Sequence, residues 1–256
     1  MRPLLLLAAL LFSACPAKKA ESSSALLSQV KQGLAERDFK LQRYHLAGRV
    51  QEQGQEATFE FFYRFPNKMR GELKTPVKRT FSFDGQTLFE MAEDAKTFTT
   101  YELKLPPKKS VLFLTQTFAP FAPEGFRAPL LTTEGVTAQR VTHPKAPDAV
   151  EVSVTTHDDE GKQLSVRYTL RWPSLDFLGR KTEVGGRTVE IRVEAEHCEA
   201  ALKMCFPQKL TQWEEKDPVA TTTLSKVEIN PPLPAESFTL SAPEGYEAKK
   251  QELVEN

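Results

Sequence analysis

Apolar and polar positions alternate most regularly between Ala57 and Phe65. One parity of this stretch is wholly apolar, and its members are Ala57, Phe59, Phe61, Tyr63 and Phe65. Because successive side chains of a strand point to opposite faces, this parity predicts a strand with one aromatic face. The dipeptide Pro66-Asn67 ends the run. We therefore expect a β-sheet with an aromatic face in this part of the chain.

The residues that follow extend this strand into an antiparallel meander. Phe81 and Phe83 again share one parity, and Asp84-Gly85 is a typical hairpin turn because such turns require positive φ. The predicted strands of this region cover residues 69–74, 79–83, 86–91 and 97–103.

The segment from Ser110 to Leu131 is apolar on nearly every side and contains three prolines. Since proline interrupts helices, the pattern predicts a short helix over residues 110–117 followed by an irregular loop. Two interpretations remain open for this segment. It is either a buried connector in the core or a lid over an apolar cavity, because a mobile segment this apolar must be covered.

The rest of the chain is rich in predicted strands. Further strands are predicted over residues 41–53, 137–142, 149–155, 164–172, 175–184, 188–195, 206–214, 220–229 and 235–240, and the hairpin signals Asp158–Gly161 and Gly185-Gly186 separate some of them. Residues 22–38 predict an amphipathic helix, because Leu26, Leu27, Val30 and Leu34 recur at helical spacing. The fold class expected is α+β and mostly β: a strongly curved antiparallel sheet, or half-barrel, wrapped around an N-terminal helix and a short lid helix and loop.

The N-terminus has the pattern of a secretory leader. Arg2 precedes an apolar stretch too short to span a bilayer, and the sequence Phe12-Ser13-Ala14-Cys15 resembles a bacterial lipobox. The resemblance implies lipidation of Cys15; the alternative is an ordinary signal peptide. The predicted organisation is a signal peptide (1–14), a lipidated cysteine and flexible tether (15–24), one domain (25–246) and a frayed, charged tail (247–256).

Two of the three cysteines remain after Cys15 is assigned to the lipid. An even number of cysteines in an exported chain favours a disulfide between Cys198 and Cys205. Such a bond closes a short loop and would stabilise the fold by roughly 2.5 kcal/mol. Metal binding by these two residues with His197 is the alternative, but the spacing matches no known zinc pattern.

Charge and motifs argue against nucleic-acid binding and catalysis. Lysine and arginine together number 34, as do aspartate and glutamate, so no strong field attracts nucleic acid. The four histidines are dispersed, and neither a serine-hydrolase elbow nor a phosphate-binding glycine loop is present. We expect no enzyme, no cofactor and no metal. The acidic hairpin 158–160 and the basic residues Lys74, Lys78 and Arg79 could bind a cation or anionic head groups, but both are more typical of solvated surfaces.

Two groups of residues resemble a known family. The first comprises Pro66, Asn67, Phe83, Asp84, Gly85 and Leu88, and the second comprises Ile229, Asn230, Leu233, Phe238, Pro243, Glu244 and Gly245. In this order and spacing they resemble the bacterial lipoprotein-carrier and lipoprotein-sorting family that contains LolA and LolB. The carriers of that family have an arginine directly before the Pro-Asn pair that helps to hold a lid shut. Here that position is Phe65, and Arg64 lies on the opposite face, so this role is not transferred.

The resemblance implies a lipid-anchored envelope protein that binds acyl chains of lipoproteins or lipids, for sorting or transfer. The expected partners are those acyl chains, the membrane and a periplasmic carrier protein, and the expected location is the periplasmic face of the outer membrane. The alternatives are a sensor or regulator of the same fold that binds a protein segment, and a structural lipoprotein. The predicted ligand-binding residues are Phe59, Phe61, Tyr63, Phe65, Phe81, Phe83, Phe113, Phe118 and Phe121.

Overall fold

The computed structural model describes residues 22–128, 135–157 and 161–254, and fourteen strands of these residues form one curved, unclosed sheet. The strands are β1 (Arg43–Glu52), β2 (Gln55–Arg64), β3 (Lys68–Thr75), β4 (Arg79–Phe83), β5 (Thr87–Ala92), β6 (Thr97–Lys104), β7 (Val136–His143), β8 (Ala146–His157), β9 (Gln163–Arg171), β10 (Phe177–Val184), β11 (Arg187–Glu199), β12 (Met204–Glu214), β13 (Asp217–Ile229) and β14 (Glu247–Val254). Their spatial order is β14-β6-β5-β4-β3-β2-β1-β13-β12-β11-β10-β9-β8-β7.

The expected fold class is confirmed. Every neighbouring pair is antiparallel except β14 and β6, which run parallel. Among the described residues, two α-helices accompany the sheet: α1 (Ser23–Lys40) and α2 (Pro107–Phe118). Neither is long and apolar enough to cross a membrane, as far as the described residues go.

Helix α1 begins one residue after its predicted start and ends two residues after its predicted end. Ser22 caps it, since the Ser22 side chain accepts a hydrogen bond from the backbone N–H of Ala25. The predicted apolar residues Leu26, Val30 and Leu34 are buried against strands β7 to β12. We call the sheet face that contacts the helices the inner face.

Two apolar clusters fill the inner face. The first cluster lies on strands β1 to β6, β12 and β13, and it contains the aromatic parity of β2. The second cluster lies on strands β7 to β12 beneath α1. Residues 107–128, which we call the crossing segment, lie over the first cluster and reach the second at Ala128.

The position of Asn230 directly after β13 has a structural explanation in hydrogen bonding. The side-chain oxygen of Asn230 accepts hydrogen bonds from the backbone N–H groups of Gln42 and Arg43, at 2.9 and 3.0 Å. Its side-chain nitrogen donates to the carbonyl of Lys40 at 3.0 Å. Asn230 thereby joins the end of α1 and the start of β1 to the end of β13.

Two predictions about the C-terminal region are wrong. Residues 247–254, predicted as part of a frayed tail, form β14, whose backbone pairs with β6. Residues 235–240, predicted as a strand, contain the 3-10 helix Ala235–Phe238 instead. This helix lies on the outer face, where Phe238 is fully buried and its carbonyl accepts a hydrogen bond from the Ser82 hydroxyl at 2.7 Å.

Candidate functional site

Eight of the nine predicted ligand-binding residues lie together in the first cluster. Six of them are buried: Phe59, Phe61, Tyr63, Phe83, Phe118 and Phe121. Phe81 and Phe113 are partly buried and pack against these six. Phe65 is apart from the cluster and is 41% exposed.

Rings of the crossing segment contact rings of the sheet throughout this cluster. The ring centroids of Phe118 and Phe61 are 6.1 Å apart, and those of Phe121 and Phe81 are also 6.1 Å apart. The ring of Phe126 lies between two rings of the sheet. Its centroid is 5.3 Å from that of Tyr44 and 5.2 Å from that of Phe206. The crossing segment therefore occupies the aromatic inner face in this conformation.

Two glycines allow this close approach. A Cβ atom on Gly71 of β3 would lie 2.5 Å from the Phe121 ring, so only glycine lets the ring rest on the strand. Gly125 has a φ of 90°, and a Cβ atom there would lie 2.7 Å from Pro207 and 2.8 Å from Phe177. Glycine is therefore required twice, once beneath the crossing segment and once within it.

Polar contacts hold the end of the crossing segment to α1. The Asp38 carboxylate accepts a hydrogen bond from the backbone N–H of Ala128 at 3.0 Å and lies 3.3 Å from the Arg127 guanidinium. Arg127 in turn lies over the ring of Tyr63 at 4.8 Å and, farther away, over Phe65 at 6.0 Å. We call Asp38, Arg127 and Ala128 the latch.

A buried ion pair supports the same end of α1. Arg37 and Asp176 are 2.7 Å apart, and their side chains are 5% and 3% exposed. Arg37 also donates to the carbonyls of Cys205 and Gly125, at 2.9 and 3.5 Å, while Asp176 accepts from the backbone N–H of Cys205 at 2.8 Å. Burial lowers the pKa of Arg37, and the Asp176 carboxylate opposes that shift. The pair connects α1, β12 and the crossing segment.

A second ion pair joins the crossing segment to β10. Glu124 lies 2.6 Å from Arg180 of β10. Arg180 lies opposite Tyr168 in the β9–β10 register. Burial raises the pKa of Glu124, and the nearby positive charge of Arg180 offsets only part of that effect.

The predicted disulfide between Cys198 and Cys205 is present and joins directly opposed residues of β11 and β12. Cys15 lies outside the described residues, as do the acidic residues 158–160. The basic residues Lys74, Lys78 and Arg79 each pair with a carboxylate, of Glu60, Glu93 and Glu90 respectively. In the described part of the chain, no group of three or more histidine, cysteine or acidic side chains is placed to hold a metal.

An open groove of about 220 Å³ lies away from this site, at the tip of the β1–β2 hairpin, where Val50, Ala57 and Pro76 line it beside four polar residues. It does not reach the latch or the aromatic rings of the crossing segment.

The sequence interpretation missed several residues of the site. Arg37 was expected only to complement the helix dipole, yet it occupies the same helix face as Val30 and Leu34 and is buried with them. A charged residue on an apolar helix face is the signal that could have identified it. Phe126 lacked a comparable signal, because it is one of many apolar residues in its segment.

Comparisons with known proteins agree at the level of fold. No protein-family model matches the chain, and no curated protein sequence matches it significantly. A putative outer membrane lipoprotein-sorting protein domain from Vibrio parahaemolyticus has a TM-score of 0.53 and 8% identity, with 82% of this chain and 94% of that chain covered. A DUF1329 family protein from Desulfovibrio piger has a TM-score of 0.52 and 10% identity, with coverages of 82% and 97%.

A LolA superfamily protein from Nitrosomonas europaea matches at a TM-score of 0.48 and 13% identity, with coverages of 82% and 97%. At such low identities a likeness in structure concerns the fold and not the activity. The architecture expected from the sequence is therefore confirmed at the level of fold: the chain shares its overall fold with the Vibrio parahaemolyticus and Desulfovibrio piger proteins, both with TM-scores above 0.5.

Proposed function

We propose that this protein binds acyl chains of lipoproteins or lipids on its aromatic inner face, and that the crossing segment is a plug which those chains displace. The observation that carries the proposal is the burial of Phe118, Phe121 and Phe126, whose side chains are 1%, 3% and 1% exposed. These rings come from a segment that lies on the sheet and shares no strand ladder with it. A ligand can thus replace them while the sheet stays intact.

Burial energies explain why such an exchange needs an apolar ligand. Each buried phenylalanine side chain contributes roughly 1.5–3 kcal/mol relative to exposure in water. Removing the crossing segment therefore exposes apolar surface on both the segment and the sheet, at a large cost in free energy. An acyl chain of comparable apolar surface repays the part of that cost that belongs to the sheet.

Helix α2 has the properties of an element that can move. It has 12 residues, and no side chain of the described residues caps its N-terminus. The side of α2 that points away from the sheet is open to solvent, because Val111 and Leu112 are 49% and 56% exposed. A helix of this length depends on tertiary contacts for its stability. Its attachment rests on Phe113, Leu114, Phe118 and the loop that follows.

The latch supplies a reversible hold on the segment. Hydrogen bonds and a cation–π contact at the protein surface contribute about 1 kcal/mol each, so they bias the segment toward closure without fixing it. The carriers of the resembled family hold their lid with an arginine at the position that Phe65 occupies here. In our proposal Arg127, which stacks on Tyr63, holds the crossing segment instead.

The proposed location is supported by the lipobox-like sequence that ends at Cys15. A chain with a lipidated Cys15 would be held at the envelope membrane, on the periplasmic face of the outer membrane in our proposal, and would resemble a receptor more than a soluble shuttle. Two or more acyl chains on that cysteine would make the anchor stable. Its partners would be acyl chains of lipoproteins or lipids and a periplasmic carrier protein. No catalytic role is proposed.

Native mass spectrometry of the gently purified protein, followed by lipid extraction, tests the proposal. We expect a stoichiometric acylated ligand. Phe81→Asp should abolish it, because Phe81 is partly buried in the aromatic cluster. Phe62→Asp is the matched control, since Phe62 is also partly buried but lies on the outer face, stacked on His45 at 4.2 Å.

Either of two results would refute acyl binding. The first is a clean mass with no uptake of an added lipoprotein acyl peptide. The second is equal loss of ligand in both variants when circular dichroism shows both to be folded. A peptide in place of a lipid would favour the regulator that binds a protein segment.

A further inference from the structure

The crossing segment carries one acidic residue. Between residues 107 and 128 the only carboxylate belongs to Glu124, and it pairs with Arg180 on the inner face at 2.6 Å. Both side chains are mostly buried, with exposed fractions of 29% and 27%. The residues that follow, Gly125 and Phe126, lead directly into the aromatic cluster. Aromatic side chains and a single anion are thus adjacent within one displaceable segment.

The wall around Arg180 is largely apolar. Tyr168 lies opposite Arg180 on one neighbouring strand, and Ile191 lies opposite it on the other. Both belong to the margin of the second cluster. The Nε atom of Arg180 and the hydroxyl of Thr182 are buried and have no hydrogen-bond partner among the described residues. Arg180 therefore retains a donor for a further acceptor beyond the Glu124 oxygen that it already contacts.

We propose that Glu124 occupies, on Arg180, the place of an anionic head group, and that the ligand is an acyl amphiphile bearing a carboxylate or a phosphate. This inference rests on the proposed function, because it assumes that an acyl chain displaces the crossing segment. In the closed state the segment then mimics the ligand. Its phenylalanine rings occupy the place of the acyl chain, and the Glu124 carboxylate occupies the place of the anionic head group.

Displacement explains the preference for charge. When the crossing segment leaves, Glu124 returns to water and Arg180 remains on an apolar wall without its carboxylate. A mostly buried charge that loses its partner is costly, since it has lost its hydration as well. A neutral ligand leaves that cost in place. An anionic head group removes it with a charge-assisted hydrogen bond, and a carboxylate or phosphate can also use the free Nε donor.

Glu124 itself favours the exchange. Burial holds its pKa above the ordinary value even beside Arg180, which means that the carboxylate is better accommodated in water than in the closed state. The geometry of the pair, and not this shift, defines the head-group position.

Calorimetric titration of the purified full chain tests the inference with dodecanoate, dodecyl phosphate and dodecanol, which share one chain length. At neutral pH and below micelle-forming concentrations, we expect at least one anion to bind about tenfold more tightly than dodecanol. Arg180→Gln should weaken that anion about tenfold and leave dodecanol unchanged, whereas Arg180→Lys should keep part of the preference. The control is Arg167→Gln, which removes an arginine paired with Glu183 on the opposite sheet face.

Each outcome has a distinct meaning. Preference for dodecanoate or for dodecyl phosphate supports the inference and identifies the head group. Equal binding of all three ligands overturns the charge preference while leaving acyl binding intact. Equal weakening of dodecanol and the anions by Arg180→Gln, in a protein that circular dichroism shows to be folded, assigns Arg180 a structural role and also overturns it. Binding of none of the three refutes the proposed function.

Discussion

The ring of Phe121 rests on Gly71, at a distance that leaves no room for a side chain on the strand. A Cβ atom at position 71 would lie 2.5 and 2.6 Å from two ring carbons. The contact joins the crossing segment to the middle of the aromatic face, where Phe81 lies beside the same ring. The seating of the segment therefore depends on a glycine in a strand interior, a position where glycine is otherwise unfavourable.

Gly71→Ala should unseat the crossing segment. The added methyl group forces the Phe121 ring to move, and overpacking of this kind costs typically 1–3 kcal/mol. We expect a lower free energy of unfolding in urea and faster uptake of a fluorescent acyl probe. In the Phe121→Ala background, Gly71→Ala should lower the free energy of unfolding by less than it does in the wild type, because no ring is left to meet the methyl group. Additive effects of the two changes would contradict the contact.

The latch should control how readily the segment opens. Arg127→Gln removes the pairing with Asp38 and the contact with Tyr63, which together are worth about 1–2 kcal/mol. We expect roughly fivefold to thirtyfold tighter acyl binding, because closure competes with the ligand. The matched control is Glu36→Gln, an exposed change on the same helix whose partner among the described residues is Gln32. Equal binding by the Arg127 variant and the wild type would show that the latch does not hold the segment.

The buried ion pair should dominate stability near the site. Arg37→Met leaves Asp176 buried without its principal partner, and the free energy of unfolding should fall by about 3–5 kcal/mol. Arg171→Met is the comparison, because Arg171 contacts the same carboxylate at 3.2 Å, pairs with Glu196 at 2.7 Å and has a side chain that is 24% exposed. That variant should lose less than Arg37→Met, because Asp176 keeps Arg37 as its partner. Similar decreases in the free energy of unfolding for the two variants, measured by urea unfolding, would contradict the burial assigned to the Arg37–Asp176 pair.

Acidification should favour closure through Glu124. Because burial raises its pKa, with Arg180 offsetting only part of the shift, the closed state takes up a proton more readily than the open state. Closure is therefore strongest below the ordinary value of 4.5 and weakens as the pH rises through the raised pKa. Binding of dodecanol, whose own charge does not change, should strengthen over that pH range. Glu124→Gln should remove this dependence, and an unchanged pH profile in that variant would refute it.

The sequence predicted most strands and the aromatic face because both follow from local periodicity. The alternation from Ala57 to Phe65 is sufficient to place Phe59, Phe61 and Tyr63 on the inner face. Helix α2 begins at Pro107, earlier than predicted, because proline is favourable in the first turn of a helix.

The remaining features depend on contacts that local patterns do not encode. Strand β14 has no apolar parity, since it is held to β6 by backbone hydrogen bonds and only Leu253 of its side chains is not exposed. The pairing of Arg37 with Asp176 joins residues 139 positions apart. The latch likewise joins α1 to residues 127 and 128. Long-range polar partners of this kind are set by the fold, so a single sequence does not reveal them.

Hydrogen–deuterium exchange of the purified protein, with and without a bound acyl ligand, tests displacement of the crossing segment most directly. Ligand binding usually slows exchange, so acceleration is a specific sign of displacement. We predict faster exchange in residues 107–128, including the Ala128 amide that donates to Asp38, and unchanged or slower exchange in β1 to β3. Unchanged or slower exchange across residues 107–128 in the saturated complex would contradict the account, because the ligand would then bind with the segment still in place.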